Sequence, residues 1–228
     1  MDNHLFTDLA LPSLVWQAVF RHLGWTLALA VVLARLSPKR WAQRWWWGLG
    51  LGLGLASNLP ILTEVTSALA LSFQTPSLLS QGLLACALWR GLRPRAASTH
   101  APVMAPAGVP MWGWTITALL GWVLLLDTLG WGGTFIYAWG FGPVVPVAVL
   151  LGGAAALTWA AWRPQAAHQT RWLWLLAGAM GLFVLTRAPS GNAWDAISDP
   201  WLWLIATARC AATLWRMARA PFTRPQSP

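Results

Sequence analysis

Long apolar stretches dominate this chain, and short connections between them hold nearly all of its charged residues. The stretches are roughly 20 residues long, which is the length of α-helix that crosses the hydrocarbon core of a bilayer. Only 9% of the residues are charged, whereas soluble domains usually carry about 25%. The chain therefore lacks the charges for a water-facing surface. We predict an all-α polytopic integral membrane protein that forms one membrane domain over residues 1–228 and has the lipid bilayer as its main partner.

The apolar stretches predict about seven transmembrane helices. They cover residues 12–36, 45–59, a third segment that ends at 89, then 111–129, 143–162, 172–186 and 200–217. The stretch between the second and third segments is predicted as a turn region that partly dips back into the membrane. Residues 94–110 are rich in Pro and Ala, which is typical of a linker.

The charged residues predict an orientation. With seven spans, all six carboxylates fall on one side of the membrane and most of the 15 Lys and Arg residues fall on the other. Lys and Arg are enriched in cytoplasmic connections, so we expect the N-terminus to be periplasmic and the C-terminus cytoplasmic, in the inner membrane of the cell. Most of the 20 Trp residues fall near the predicted interfaces, where indole rings are favoured. This asymmetry explains the net charge of +9, and we predict no nucleic-acid partner.

Two parts of the chain share a pattern. Residues 38–90 and 164–216 each contain an Arg-Trp pair, an apolar segment, a proline, a Cys-Ala pair ten residues after that proline, and a final Leu-Trp-Arg. The pattern predicts two parallel three-helix repeats, 12–90 and 143–217, joined by a linking helix at 111–130. Parallel repeats of this kind occur in small transporters. A chain rich in Trp, Leu, Ala and Arg also matches itself by chance, so both explanations stay open.

Three basic groups lie inside predicted spans. Arg21 and His22 are nine or ten residues into the first span, roughly 13–15 Å deep at 1.5 Å per residue. A charge at that depth is costly unless it faces protein or water and has a partner, for which Glu64 and Asp127 are candidates. The alternative is that the span begins deeper and that Arg21 extends its side chain to the surface. Arg209 presents the same choice in the last span.

The sequence GLGLGLGL at 48–55 contains two pairs of glycines four residues apart, Gly48/Gly52 and Gly50/Gly54. Small residues at this spacing let two helices approach closely. We expect the glycines to serve packing within the chain, with homodimer formation as the alternative.

Polar residues that would line a cavity are the candidate binding residues. They are Arg21, His22, Glu64, Gln81, Asp127, Asp195, Asp199 and Arg209. Asp195 and Asp199 are four residues apart and would share one face of a short helix. The favoured alternative is that Asp199 caps the last helix ahead of Pro200. Metal-ligand spacing, phosphate-binding loops and Ser-His-acid arrangements are missing, so we predict no catalytic residue, no metal and no cofactor.

Three functions fit these features. The first is a non-catalytic accessory, assembly or binding subunit, with other membrane-protein subunits or a second copy of the chain as partners. The second is a small-solute transporter with a 3+1+3 arrangement of helices and a mid-bilayer site made of Arg21, His22, Gln81 and Arg209. The third is an enzyme that acts at the outer leaflet on a lipid-linked substrate, with acid and base groups drawn from Glu64, Asp127, Asp195 and Asp199.

Overall fold

The computed structural model describes residues 11–36, 43–57, 59, 63–92, 109–131, 133, 135–162 and 167–219, and all regular secondary structure in them is helical. The helices are α1 (Leu14–Leu36), α2 (Gln43–Ala56), α3 (Thr63–Phe73), α4 (Leu78–Leu92), α5 (Met111–Thr128), α6 (Ile136–Trp139), α7 (Val144–Ala161), α8 (Ala167–Thr186), α9 (Ala193–Ile197) and α10 (Pro200–Arg219). The predicted all-α class is confirmed for this part of the chain. The 94–110 linker lies outside the described residues, except for its last two positions.

Three of the described helices, α1, α5 and α7, are long and apolar enough to cross a membrane. Two others, α4 and the 170–186 part of α8, are apolar but shorter. The 14 residues of α2 extend roughly 21 Å, less than the ~30 Å hydrocarbon core. Helix α10 is long enough but carries Arg209, Arg216 and Arg219. The membrane class is therefore supported, while the count of seven spans stays a prediction.

The connection between α2 and α4 contains a helix that the sequence did not indicate. We expected a turn region, but α3 has 11 residues, roughly 16 Å at 1.5 Å per residue, which is too short to cross the bilayer. Residues 63–73 contain no Gly or Pro, so nothing in their backbone opposes a helix. The helix ends where Gln74 adopts a left-handed conformation with a φ of 62°.

Helices α1 and α2 form a closely packed antiparallel pair. A Cβ on Gly50 would lie 2.5 Å from the carbonyl oxygen of Ala30, and one on Gly54 would lie 2.5 Å from that of Thr26. The Thr26 Oγ1 hydroxyl also donates to the Gly54 carbonyl at 3.1 Å. One of the two glycine pairs therefore serves packing within the chain, as expected. For the other pair, Gly48 and Gly52, no atom of the described residues outside the backbone of α2 lies within 4 Å of the position of a Cβ.

Helices α5 and α10 form a second antiparallel pair. Gly121 packs against the Trp203 ring, and nearer the other end of the pair the guanidinium of Arg209 lies 4.9 Å from the centre of the Trp114 ring. Residues farther along α10 contact residues nearer the start of α5, so the two helices run in opposite directions.

The centre of the bundle is α4. It packs against α1, α2, α8 and α9, and α8 in turn packs against α7. One apolar core surrounds Leu79, Met180 and Phe183, and a second surrounds Ala30 and Trp47. Outside these cores many large apolar side chains are exposed, and only 22% of the residues of α7 are buried. Such a surface fits hydrocarbon rather than water.

The candidate repeat halves differ in their packing. α1 packs on α2 as α7 packs on α8, but α4 contacts α1 and α2, whereas α10 packs mainly on α5. The repeat stays a prediction.

Candidate acidic binding cleft

A short polar scaffold stands between the ends of α5, α8 and α10. Asn192, which is fully buried, caps α9: its Oδ1 accepts the N–H of Trp194 at 2.9 Å. Its amide nitrogen donates to the Tyr137 carbonyl at 3.0 Å, and the Trp194 indole N–H donates to the Ile136 carbonyl at 2.8 Å. These bonds tie α9 to α6. Gly140 lies against the Asn192 side chain, where a Cβ would collide with it.

Asp195 projects from this scaffold and is 9% exposed. Two hydroxyls donate to its Oδ2 oxygen, Tyr137 at 3.0 Å and Ser190 at 2.5 Å. Among the described residues, no donor reaches its Oδ1 oxygen. Burial raises the pKa of the Asp195 carboxyl, and the two hydroxyl donors offset part of that rise. Burial and the nearby Asp195 charge also raise the pKa of the Tyr137 phenol. Asp195 is thus a carboxyl with one oxygen open to a ligand.

Asp199 has a structural task. Its Oδ1 accepts the N–H of Leu202 at 2.9 Å, which is the capping contact expected at the start of α10. Its Oδ2 accepts the N–H of Ser77 at 2.9 Å and the Ser80 hydroxyl at 2.5 Å, both at the start of α4. A carboxylate is favoured at a helix N-terminus by the unpaired N–H groups and the helix dipole. One carboxylate, 5% exposed, therefore caps two helices.

A cleft of about 190 Å³ opens beside these two carboxylates. We call it the acidic cleft, and the end of the bundle that contains it the acidic end. The residues that line it are Gln74, Gly121, Leu124, Leu125, Thr128, Tyr137, Asp195, Ser198, Asp199, Pro200 and Trp203. Among the described residues, no Lys, Arg or His lines this cleft. Its charged groups are thus acidic only, and they stand beside two aromatic rings.

Asp195 and Asp199 line the same cleft, but they do not share the face of one helix, because α9 ends at Ile197 and Asp199 caps α10 instead. It places Asp127 at the same end, where its Oδ2 accepts the backbone N–H of Tyr137 at 2.8 Å. Glu64 lies in the first turn of α3, and its side chain is outside the described residues. The sequence did not single out Tyr137, although it is the only tyrosine of the chain and lies in a stretch without charges.

The groups predicted to form a mid-bilayer site make separate contacts. The Nδ1 of His22 is 3.1 Å from the Thr66 hydroxyl, between α1 and α3. The Gln81 amide nitrogen donates to the carbonyls of Phe20 at 3.2 Å and Pro76 at 2.9 Å, and its Oε1 is buried without a partner among the described residues. Arg209 lies over Trp114, on the α5–α10 pair.

Arg21 is partly buried on α1, and its Nε atom has no hydrogen-bond partner among the described residues. The contacts that the structure describes do not join Arg21 to the Gln81 amide or to the Arg209 guanidinium.

A larger apolar cavity of about 500 Å³ adjoins the acidic cleft, with Asp199 in the wall of both. It lies between the α5–α10 pair and helices α1, α3 and α4, and Trp25, Phe73 and Trp201 contribute to its walls. At this cavity the α5–α10 pair and helices α1, α3 and α4 thus face each other across apolar surfaces.

Within the part of the chain that the structure describes, no group of three or more His, Cys, Asp or Glu residues could hold a metal ion. No family model, curated protein or solved structure matches the chain. The chemistry of the acidic cleft therefore rests on the contacts described above.

Proposed function

We propose that this chain is a multi-pass, non-catalytic inner-membrane protein that binds a small substituted ammonium group in the acidic cleft. The observation that carries the proposal is Asp195, which lines a cleft without basic side chains among the described residues and whose Oδ1 oxygen receives no donor from them. A buried carboxylate without a cation is costly, and a bound cation would offset that cost.

The walls of the acidic cleft suit an ammonium ligand. Tyr137 and Trp203 line it together with Asp195. The faces of aromatic rings attract cations, and quaternary ammonium groups are recognised in this way. The volume of about 190 Å³ corresponds to roughly six water molecules at ~30 Å³ each, so the ligand has only a handful of heavy atoms. Choline and ethanolamine have suitable size and charge.

A binding measurement tests this proposal. The protein in a maltoside detergent, which carries no ammonium group, is titrated with choline and with ethanolamine by calorimetry. We expect saturable binding by the wild type and its loss in Asp195→Asn, which keeps the size of the side chain and removes the charge. Thr158→Ala, which removes an exposed hydroxyl on α7, is the matched control and should bind as the wild type does. Absence of binding of both ligands by the wild type at millimolar concentration would refute the proposal.

The same proposal includes seven membrane-crossing helices with a periplasmic acidic end. Seven described helices have 14 or more residues, α1, α2, α4, α5, α7, α8 and α10. The antiparallel pairs α1–α2 and α5–α10 support an alternation of direction along the chain. A cavity at the opposite end of the bundle supports the same alternation. It is lined by Arg90, near the end of α4, and by Arg171, near the start of α8, so these two helices also run in opposite directions.

Cysteine labelling in intact cells tests the orientation. Cys86 and Cys210 are first replaced by Ala to remove background labelling. A membrane-impermeant maleimide should then label Trp131→Cys at the acidic end, and should label Ser98→Cys in the linker only after the membrane is permeabilised. The reverse pattern would overturn the orientation.

The two other functions have less support from the acidic cleft. An enzyme with paired carboxylates would need a second free group, but both Asp199 oxygens cap helices and Asp127 holds the Tyr137 N–H. A transporter would move the bound ammonium compound across the membrane. Uptake of radiolabelled choline into proteoliposomes separates these cases, because a binding protein retains choline without flux.

A further inference from the structure

A second cleft lies at the opposite end of the bundle, which we call the basic end. It has a volume of about 330 Å³ and lies between α4 and α8. The residues that line it are Leu83, Cys86, Ala87, Arg90, Val109, Arg171, Trp172, Trp174 and Leu175. The cleft thus combines two guanidinium groups, two indoles and an apolar floor. Its charge is opposite to that of the acidic cleft, so this inference does not depend on the proposed ammonium site.

The two arginines of this basic cleft are not neutralised by the described residues. Arg90 lies in the last turn of α4, Arg171 lies near the start of α8, and both side chains are exposed. Within the described ranges, neither guanidinium has a hydrogen bond or an ion pair. Two cations on the walls of one cleft repel each other, and an anion between them would convert that repulsion into attraction. The planar fork of an arginine matches the oxygens of a phosphate group.

The surroundings of the arginines favour a lipid over a free anion. Leu83, Val109 and Leu175 form an apolar surface in the same cleft, which an inorganic phosphate would leave uncovered and an acyl chain would cover. Trp174, which lines the same cleft as Arg171, is 65% exposed. Exposed indoles are enriched at the boundary between headgroups and acyl chains, which is the depth of a lipid phosphate.

We propose that the basic cleft is a binding site for an anionic phospholipid of the adjacent leaflet, with the lipid phosphate between Arg90 and Arg171. One acyl chain lies along Leu83, Val109 and Leu175. Basic pockets between transmembrane helices bind anionic headgroups in this manner. The ligand class is a phospholipid with net negative charge, such as phosphatidylglycerol or cardiolipin.

Other arginines at the basic end provide a matched control because they have protein partners. The Arg216 Nε donates to the Ala212 carbonyl at 3.2 Å, and an Nη donates to the Thr213 hydroxyl at 3.3 Å. Arg219 lies 4.2 Å from the centre of the Trp215 ring. Removal of these two charges changes the net charge as much as removal of Arg90 and Arg171 does, but leaves the cleft intact.

Native mass spectrometry of the delipidated protein in detergent tests the site. Phosphatidylglycerol and phosphatidylcholine with identical acyl chains are added separately to the wild type, to Arg90→Gln/Arg171→Gln and to Arg216→Gln/Arg219→Gln. We expect the wild type and the Arg216/Arg219 variant to retain phosphatidylglycerol in preference to phosphatidylcholine. The Arg90/Arg171 variant should bind phosphatidylglycerol at least about tenfold more weakly, the effect of ~1.4 kcal/mol.

Several outcomes would overturn the site. Equal loss in the two double variants would show a general effect of charge, and equal binding of the two lipids by the wild type would show no selection for the anion. Displacement of phosphatidylglycerol by millimolar inorganic phosphate would assign the arginines to a free anion. Circular dichroism of each variant shows whether it is folded. If the Arg90/Arg171 double variant is not folded, the single variants Arg90→Gln and Arg171→Gln are measured in its place.

Discussion

Asp199 and Ser77, separated by 122 residues in sequence, join the N-terminal ends of α10 and α4 through a hydrogen bond of 2.9 Å from the Ser77 N–H to the Asp199 Oδ2. The other oxygen of the same carboxylate caps α10 itself. Two helices that begin at the same end of the bundle therefore share one carboxylate. This carboxylate fixes the position of one helix along the bundle relative to the other.

Replacement of Asp199 by Ala should destabilise the protein strongly. It removes a helix cap, worth about 1 kcal/mol, and leaves the Ser77 N–H and the Ser80 hydroxyl buried without an acceptor, at about 1–3 kcal/mol for each group. We expect a loss of roughly 3–7 kcal/mol in the free energy of unfolding, measured by denaturant titration in detergent. Ser80→Ala removes one donor and should cost less. A change within about 0.5 kcal/mol in Asp199→Ala, the range of ordinary surface substitutions, would contradict the double cap.

The two glycine pairs of α2 should respond to alanine in opposite ways. In Gly50→Ala and Gly54→Ala the new methyl group would meet a backbone carbonyl of α1, and we expect a loss of about 1–3 kcal/mol. In Gly48→Ala and Gly52→Ala it meets no other part of the described residues within 4 Å, so the higher helix propensity of Ala should stabilise α2 by up to ~1 kcal/mol. Thermal unfolding of the four variants measures the contrast, and equal effects at all four positions would show that the α1–α2 contact is wrong.

The stability contributed by Asp195 should decrease as the pH rises. Its pKa is raised by burial in the folded protein, so the folded state holds the proton at a pH where the unfolded chain has already lost it. The contribution is present below the ordinary pKa of about 3.8 and is lost as the pH rises through the higher folded value. Unfolding of wild type and Asp195→Asn between pH 4 and 8 should show the wild type losing stability relative to the variant. A constant difference would argue against a raised pKa.

Binding of choline should strengthen with pH in the same range, because the cation requires the ionised form of Asp195. The other ionisable groups that line the acidic cleft are Tyr137 and Asp199. The pKa of Tyr137 is raised further above neutrality, so the phenol stays protonated in this range. Calorimetric titrations at pH 5, 6, 7 and 8 measure the effect. An affinity that does not change with pH would mean that another group holds the ammonium.

Asn192→Ala should weaken the acidic cleft without touching the ligand. The substitution removes the cap of α9 and the bond to the Tyr137 carbonyl, at a cost of about 1–2 kcal/mol. We therefore expect both a lower unfolding temperature and weaker choline binding. Asn192→Ser keeps a capping oxygen without adding a charge and loses the donor to Tyr137, so it should lie between the wild type and Asn192→Ala in both measurements.

The apolar pattern and the prolines predicted most helix positions. Pro200 is the first residue of α10, and Asp199 caps that helix as the sequence indicated. Helix α8 begins at Ala167 rather than at 172, because residues 167–171, which were predicted as a connection, are helical as well. α3 was missed because a short helix that does not cross the membrane has no length signal.

The acidic cleft was only partly predictable. The spacing of Asp195 and Asp199 suggested that they share a face of one helix, but α9 ends at Ile197 and the two carboxylates have different hydrogen-bond partners. Tyr137 and Ser190 donate to Asp195 from positions 58 and 5 residues away. Such contacts depend on how the ends of three helices are arranged, which apolar periodicity does not encode.

The shared cap at Asp199 has a consequence for biogenesis. Synthesis proceeds from the N-terminus, so the residues of α4 are made long before the ribosome reaches residue 199. During that interval the Ser77 N–H and the Ser80 hydroxyl lack their final acceptor, and water or lipid headgroups must serve instead. The N-terminal end of α4 thus acquires its acceptor only when the residue that caps α10 has been made.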